Sequence, residues 1–390
     1  MRICKIGVSG RIALLIGATI LSSGASATTY TADSTNFKSI FYSVQGGDRI
    51  IVTGSFAAMQ LRDRSFATPI TIDARHASFT DSVQLKDVSG VNFSYGRFGS
   101  ATTPTRSYQA VLIGGGSNIN FSHATFIGNG DGMGLTFTNT DNINVSSSTF
   151  TSLRRGLAFT GVTNGVMTHN QFLKSSSDGA AIVDSHFVTA SQNLCSGTSP
   201  AAGAHPDCIQ LWSLAGHPVQ SDITISDNTA RGATQGFTSF DPNRGGGLRI
   251  DMLRNRVDTS YPQGIACYGC VDSLFADNVL TTLPGSRFRT SMNIVGGGNN
   301  VLRNNSIEAY IRRKTPGSTT GPTSDMVFDD LAETGGGFFD TGASPLSAAE
   351  LARFAVSGVP EPSVWLQLMA GMLAIGAVTR RRRHAVTAAV

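Results

Sequence analysis

The sequence has little charge and no long amphipathic helical pattern. Charged residues make up 14% of the chain and tryptophan occurs twice, whereas glycine occurs 44 times. Between the two ends, apolar residues alternate with polar ones in short stretches and do not recur at the spacing of a helix face. Abundant glycine suits many tight turns, so the composition favours short extended segments over long helices.

An excess of positive charge is also absent once the two ends are set apart. Seven of the 30 Lys and Arg residues lie in the terminal segments described below, which leaves 23 against the chain's 26 acidic residues. Binding to nucleic acid depends on a basic surface. We therefore expect no nucleic-acid partner.

Residues 1–27 read as an export signal. Arg2, Lys5 and Arg11 give a positive start, residues 12–21 form a short apolar run, and Ala25-Ser26-Ala27 has the small-residue pattern of a cleavage site. These three features in this order predict that the segment is removed and that the mature chain leaves the cytoplasm.

The C-terminal segment, residues 359–384, has three parts. Pro360, Glu361 and Pro362 precede an uncharged stretch over residues 364–379, and a basic run follows that consists of Arg380, Arg381, Arg382 and Arg383. A bilayer core needs about 20 apolar residues, so the stretch is marginal as a permanent transmembrane segment. The arginines would hold its far end in the cytoplasm.

This three-part tail resembles the PEP-CTERM sorting signal of Gram-negative bacteria. The resemblance implies a transient anchor in the inner membrane, processing by an exosortase, and delivery to the cell envelope or the extracellular space.

A repeat of about 24 residues runs through the middle of the chain. Segments such as "NINFSHATF", "NINVSSSTF" and "SDITISDNTA" align on a turn residue, and the aligned positions are Ala124, Ser148, Asn170, Asn193, Asn228, Asn255, Asn278 and Asn305. This period, combined with alternating strands, is typical of a β-solenoid whose coils bury their inward side chains only by stacking. Asparagine suits such corners because it tolerates the left-handed backbone region and bonds its own backbone.

We predict an all-β fold, a right-handed parallel β-helix over residues 46–311. A short N-terminal cap (28–45) precedes it, and a linker with a short helix (312–358) follows. The repeat resembles the pectate-lyase-like superfamily, which is defined by shape and has diverse functions.

Four cysteines remain after removal of the export signal. Cys195, Cys208, Cys267 and Cys270 are an even set in an oxidising compartment, which favours disulfides. We favour the pairs Cys195–Cys208 and Cys267–Cys270 among the three possible pairings. A zinc site with four thiolate ligands is the alternative.

The segment "HPDCIQLW", residues 205–212, is one rung of the predicted helix. Its Asp207 belongs to a column of turn residues in successive coils, which consists of Asp131, Arg155, Asp178, Asp207, Gln235 and Gln263. Ile209 and Leu211 should face inward, whereas Gln210 and Trp212 should face outward. An insertion over residues 194–206 would form a wall beside this rung.

Three interpretations of the carboxylate column compete. Neighbouring carboxylates can divide into an acid and a base or nucleophile, as a glycosidase requires. They can also bind Ca²⁺ through oxygen ligands and, with a base, promote elimination in an acidic glycan. The third interpretation is that Asp-Gly and similar pairs are simply good turn formers.

The sequence therefore leads to two functional hypotheses. In the first, the protein binds and cleaves an extracellular polysaccharide. Asp207 would act as general acid or base, with Asp178 as its partner or as a Ca²⁺ ligand and His205 aiding proton transfer. Arg155, Gln210 and Trp212 would bind substrate, with Trp212 stacking on a sugar ring. In the second, the protein is a non-catalytic matrix or adhesion protein.

Overall fold

The computed structural model describes residues 27–102, 105–214, 216–240, 246–313 and 327–329. They form a right-handed parallel β-helix of about 11 turns, which confirms the predicted fold. The export signal up to residue 26, almost all of the linker and the whole sorting signal lie outside the described residues. Within them, no helix is both long and apolar enough to span a bilayer.

The strands are short except near the N-terminus, where several run through a bend. The first elements are β1 (Thr29–Ala32), α1 (Phe37–Ser43), β2 (Arg49–Phe56), β3 (Met59–Phe79), β4 (Val83–Ser94), β5 (Arg97–Gly99), β6 (Gln109–Gly114), β7 (Ser117–Ser122), β8 (Thr125–Ile127), β9 (Met133–Thr138) and β10 (Asp141–Ser146). The next are β11 (Thr149–Thr151), β12 (Arg155–Thr160), β13 (Thr163–Thr168), β14 (Gln171–Leu173), β15 (Ala180–Val183), β16 (His186–Ser191), β17 (Leu194–Ser196), β18 (Asp207–Trp212), β19 (Ser221–Ser226), β20 (Thr229–Gly232) and β21 (Gln235–Phe240). The last are β22 (Gly247–Leu253), β23 (Arg256–Thr259), β24 (Gln263–Tyr268), β25 (Cys270–Val271), β26 (Leu274–Ala276), β27 (Val279–Thr282), β28 (Ser291–Val295), β29 (Val301–Arg303), β30 (Ala309–Arg313) and β31 (Val327–Asp329).

Parallel pairing between successive coils stacks these strands into three faces. The first sheet contains β6, β9, β12, β15, β18, β21, β24, β28 and β30. The second sheet includes β7, β10, β13, β16, β19 and β22. The third sheet includes β5, β8, β11, β14, β17, β20, β23 and β27. Most coils therefore contribute one short strand to each face.

Inward side chains from the third sheet form a stack of rings along the axis. The ring centroids of Phe126 and Phe150 are 4.6 Å apart, and those of Phe150 and Phe172 are 5.1 Å apart. The spacing matches the distance between stacked strands. In the next coil Cys195 takes the phenylalanine position, because it pairs with Phe172 in the strand register. The stack of rings therefore ends at the coil that carries the insertion.

Buried asparagines form a ladder at the corner between the second and third sheets. The backbone N–H of Asn193 donates to Oδ1 of Asn228 at 2.9 Å, and Nδ2 of Asn228 donates to the Ala190 carbonyl oxygen at 2.9 Å. The predicted positions were right, but the stated reason was wrong. The left-handed backbone belongs to the preceding residue in each coil, for example Gln192 and Asp227. The ladder side chains bond neighbouring coils and not their own backbone.

The open N-terminal end is capped as predicted. Helix α1 buries Phe37 and Phe41, and Phe37 packs edge-on against Phe56 of β2 with centroids 5.8 Å apart. Strand β1 also pairs in parallel with β2, so the solenoid begins before residue 46.

The four cysteines form two disulfides, Cys195–Cys208 and Cys267–Cys270. These are the pairs favoured from the sequence, and they leave no thiolates for the alternative zinc site. The Cys195–Cys208 disulfide joins the third sheet to the first inside one coil, because Cys195 lies in β17, Cys208 lies in β18 and both residues are buried.

Candidate functional site

Strand register brings the predicted polar column together at the start of the first-sheet strands. Asp207 pairs with Gln235, and the pairing of Ala180 with Ile209 puts Asp178 beside Asp207. The backbone N–H of Asp207 lies 3.4 Å from Oδ1 of Asp178. The two acids, 29 residues apart in sequence, are therefore neighbours along the axis.

The first member of the predicted column is wrong. Arg155 pairs with Met133 in the coil before it, and not with Asp131. Asp131 lies two residues earlier in the turn, where its side chain is exposed. The glycine-rich turn "GNGDGMG" contains one acid, and the sequence alone does not fix how its residues align with the next coil.

The side chain of Asp207 points away from the core because the two residues that follow it, Cys208 and Ile209, both point inward. Cys208 is bonded to the inward Cys195, and Ile209 is fully buried in the core. At the corresponding position two coils earlier, a Cβ on Gly156 would lie 2.9 Å from the Cβ of Phe150. With two inward positions in a row, the preceding residue, Asp207, is turned to the outer side of the first sheet.

Arg155 and Asp178 form a buried ion pair between adjacent coils. Nη2 and Nε of Arg155 lie 2.7 and 3.1 Å from Oδ2 of Asp178. The guanidinium carbon also lies 5.2 Å from the ring centroid of Trp212. Arg155 was predicted to bind substrate, but its guanidinium is engaged by Asp178 and Trp212. The pair is instead a link that holds three coils together.

Asp207 lies in an almost sealed position behind the insertion. Asp207 is 1% exposed, Thr238 donates a hydrogen bond of 2.7 Å to its Oδ1, and its Oδ2 has no hydrogen-bond partner among the described residues. Burial, with a further contribution from the negative charge of Asp178, raises the pKa of Asp207 to about 6, although His205 opposes the shift. A carboxyl group in this state can hold a proton near neutral pH.

His205 is the accessible member of the group. It lies at the end of the insertion, with 30% of its side chain exposed, and Nδ1 is 3.6 Å from Oδ2 of Asp207. This distance allows an ion pair but is longer than a hydrogen bond. Asp207 raises the pKa of His205 by interacting with the protonated ring, against the opposing effect of burial.

The insertion lies against the preceding coil instead of standing as an open wall. The backbone N–H of Ser199 donates to the Ser175 carbonyl oxygen at 2.9 Å, and that of Ala201 donates to the Ser176 carbonyl oxygen at 3.0 Å. These bonds and the Cys195–Cys208 disulfide fix both ends of the segment that carries His205. The predicted position of the insertion beside the rung is thus observed.

Gln210 and Trp212 face outward, as predicted, but they are buried. Gln210 is 4% and Trp212 6% exposed. Trp212 packs with Ala181 and Val183 in a small apolar cluster on the outer side of the first sheet, separate from the core. The ring therefore has almost no accessible face in this arrangement, and stacking of Trp212 on a sugar ring stays a prediction.

Arg154 was missed by the sequence analysis. It precedes Arg155 in the turn, and its backbone carbonyl accepts a hydrogen bond from Ser177 at 3.1 Å. Burial lowers the pKa of the half-buried guanidinium, and repulsion from Arg155 and Arg106 lowers it further. Among the described residues no carboxylate lies within ion-pair distance of Arg154. The Arg-Arg pair at the start of a strand was the sequence signal.

The described residues at this site do not form a set of ligands for a metal ion. In the described part of the chain, no three His, Cys, Asp or Glu side chains are close enough together to hold a metal ion. Asp178, the predicted Ca²⁺ ligand, has its carboxylate neutralised by Arg155. Binding of Ca²⁺ stays a prediction, and no step below depends on it.

Comparison with known proteins concerns the fold. A family model described as the right handed beta helix region matches residues 67–230. A polygalacturonase from Erwinia carotovora ssp. carotovora is 10% identical, with 78% of this chain and 94% of that chain covered and a TM-score of 0.49. PfbA, a surface adhesin of Streptococcus pneumoniae, is 9% identical, with 78% and 84% covered and a TM-score of 0.48.

The Dettilon tailspike protein is 11% identical over 69% of this chain, with a TM-score of 0.43. The chain spans 62% of the tailspike, less than two thirds of its length. No curated protein sequence matches the chain. What the register, the coil count and the family model establish together is the architecture: this chain is a right-handed parallel β-helix protein.

Proposed function

We propose that this protein binds and cleaves an acidic extracellular polysaccharide at the edge of the first sheet where His205 and Asp207 meet. The observation that carries the proposal is the pairing of a partly exposed histidine with a buried carboxyl group whose pKa is about 6. Perturbed titratable groups in such an arrangement are typical of functional sites.

His205 is the group that contacts the substrate, and Asp207 acts through it. The carboxylate keeps the imidazole protonated to higher pH and fixes its orientation. In hydrolysis, the imidazolium donates its proton to the leaving glycosidic oxygen as the C–O bond breaks, and the neutral ring then takes up the proton that water loses as it adds to the anomeric carbon. In elimination, the neutral ring removes the C5 proton next to the uronate carboxyl group, the C4–C5 double bond forms as the C4–O bond breaks, and the ring returns that proton to the leaving oxygen. This reverses the roles expected from the sequence, in which Asp207 contacted the substrate.

Arg154 supports an acidic substrate. It is half-buried at the same edge, Arg155 and Arg106 repel it, and Asp178 and Asp131 act in the opposite direction, but no described carboxylate forms an ion pair with it. A uronate or other anionic group on a neighbouring sugar unit would relieve the repulsion among these cations. Arg154 would then bind a sugar next to the one that is cleaved.

The terminal segments support an extracellular location. Residues 1–27 would direct export, and residues 359–384 would anchor the chain transiently in the inner membrane until an exosortase removes them. The β-helix would then be released to the envelope or the matrix, where extracellular polysaccharide is available. Both segments lie outside the described residues, so this part of the proposal rests on the sequence.

The test incubates the purified protein with polygalacturonate, alginate and neutral galactomannan. Reducing ends report cleavage, and absorbance of the unsaturated uronate distinguishes elimination from hydrolysis. We expect cleavage of an acidic polymer, a loss of at least 100-fold in His205→Gln, and a smaller loss in Asp207→Asn. His123→Gln, which changes an exposed histidine at a corner of the second sheet, is the matched control and should retain activity.

The burial of the column favours a second candidate, a non-catalytic matrix or adhesion protein. Asp178 and Asp207 are 2% and 1% exposed, so their polar groups also serve as links between coils. This candidate predicts no cleavage products with any of the three polymers, and glycan binding that is the same in wild type and Asp207→Asn. That pair of results would replace the enzymatic proposal.

A further inference from the structure

Phe187 has an unusual combination of backbone conformation and exposure. It is the second residue of β16 and has a φ of 55°, in the left-handed region. Its side chain lies on the outside of the solenoid, and the residue is 58% exposed, the highest value among the large hydrophobic residues that the structure describes. The left-handed region is a genuine outlier for a bulky residue.

The equivalent residues in other coils are polar. Left-handed residues occupy the same second position of the second-sheet strands, or align with it, and these are Asn118, Asn142, Asn164, Asp222, Arg249, Asp272 and Asn299. Asparagine and aspartate tolerate this conformation best among residues with a side chain. Phenylalanine therefore replaces a residue type that would fold with less steric cost.

No core packing or ring contact in the described part of the chain offsets this cost. Among the described residues, no aromatic ring lies in stacking or edge-on contact with Phe187, and its side chain is not part of the core. Burial of apolar area is what usually stabilises a phenylalanine. Here the apolar area faces solvent, so the residue contributes little to folding. A strained residue at an exposed position is an indication of function.

The groups beside Phe187 are polar, and one of them, Asn164, donates a hydrogen bond of 2.8 Å to the carboxylate of Asp141. Asn164 lies in the rung before it and Asp222 in the rung after it. Asp222 is neutralised by Arg249, with Nη2 2.7 Å from Oδ2. Val166, 37% exposed, lies one rung back on the same face and extends the apolar surface. The result is an aromatic ring with polar neighbours on two sides.

We propose that Phe187 is the centre of a binding subsite for an uncharged pyranose unit of a polysaccharide. The C–H face of the sugar stacks on the phenylalanine ring, and its hydroxyl groups meet Asn164 and the Asp222–Arg249 pair. Aromatic rings bury a large apolar area with a defined geometry, which suits such stacking.

The size of the patch favours a sugar over a protein partner. A stable protein interface buries about 800 Å² on each side, with several apolar anchors at its centre. Phe187 and Val166 provide two adjacent apolar residues within a polar face. One sugar ring covers an area of this size, whereas a protein would leave most of its contact on polar and charged groups.

This subsite is separate from the proposed cleavage site. His205 lies where the insertion enters the first sheet, whereas Phe187 lies beyond the opposite end of that sheet, after the turn at Asp184 and Ser185. Its role is to hold the protein on polymer, and it exists whether or not His205 cleaves. The inference therefore goes beyond the proposed function and does not depend on it.

The test measures binding of the purified protein to insoluble cellulose, xylan and curdlan by depletion from solution. We expect wild type to bind at least one of these neutral polymers. Phe187→Asn should weaken that binding at least tenfold and, because asparagine relieves the backbone strain, raise the Tm by about 2 °C. Phe187→Tyr keeps the ring and should bind within about twofold of wild type.

Tyr95→Asn is the matched control. Tyr95 is also aromatic, exposed and left-handed, with a φ of 63°, but it lies at the opposite edge of the second sheet and packs between Arg75 and His123. Its variant should bind polymer as wild type does. Cleavage is tested with His205→Gln and binding with Phe187→Asn, so loss of cleavage and loss of binding are distinguished by different variants.

Three results would overturn the inference. The first is the absence of binding to all three neutral polymers by wild type. The second is equal binding by wild type and Phe187→Asn. The third is a change in sedimentation from dimer to monomer in Phe187→Asn, which would identify a second copy of the chain as the occupant of the patch.

Discussion

Arg155 reaches from one coil to the next and places Nη2 2.7 Å from Oδ2 of Asp178, with both residues less than 10% exposed. Removal of one partner from a buried ion pair leaves an uncompensated charge. We expect Arg155→Met to lower the free energy of unfolding by about 3–5 kcal/mol, measured by urea denaturation.

A second substitution separates the charge effect from a packing effect. Asp178→Asn in the Arg155→Met background removes the unpaired carboxylate and should restore much of the lost stability. Arg254→Asn, which breaks the exposed pair with Asp227, is the control and should change stability much less. If the double variant is no more stable than Arg155→Met, the charge of Asp178 is not the cause.

The buried carboxyl group of Asp207 makes stability depend on pH. Its pKa rises from 3.8 to about 6 on folding, so between these values the folded state binds more protons than the unfolded state. The contribution is fully present below pH 3.8 and is lost as the pH rises through 6. Asp207→Asn has no carboxyl group to titrate at this position. Between pH 4 and pH 8 its free energy of unfolding should therefore rise, relative to that of wild type, by on the order of 2 kcal/mol.

Urea denaturation of both proteins at pH 4 and pH 8 measures this gain. His205 interacts with Asp207, so the same comparison is made in a His205→Gln background, where the gain should be larger because the stabilising imidazolium is absent. A stability difference that stays constant over this pH range would contradict a raised pKa for Asp207.

The asparagine ladder should contain some of the most sensitive positions in the chain. Oδ1 of Asn228 accepts from the backbone N–H and the Nδ2 of Asn193, and its Nδ2 donates to the Ala190 carbonyl oxygen. Asn228→Ala leaves these buried groups without partners, so we expect a loss of about 2–4 kcal/mol by urea denaturation. Asn120→Ala, on the outer side of the second sheet, should change stability by less than about 0.5 kcal/mol.

The repeat in the sequence was enough to predict which residues stack in successive coils. It was not enough to predict the exposure of a side chain, which depends on its neighbours in other coils. The repeat predicted that Asp178 lies beside Asp207, because residues separated by one coil in sequence become neighbours when the coils stack. It could not predict that Trp212 is covered, because its exposure depends on Arg155 from two coils earlier. It overlooked Arg154 because that residue is one position outside the aligned column. Phe187 was visible as an aromatic residue among aligned Asn and Asp residues, but its exposure required coordinates.

The Cys195–Cys208 bond has a consequence for when the proposed site is assembled. Cys208 directly follows Asp207, and the 13-residue separation between the two cysteines includes His205. Thiols stay reduced in the cytoplasm and become oxidised after export. If the chain is exported as proposed, it lacks the constraint that holds the imidazole near the carboxyl group until it has crossed the inner membrane. Chemical maturation of the pair would then coincide with arrival at the place where the proposed polymer is found.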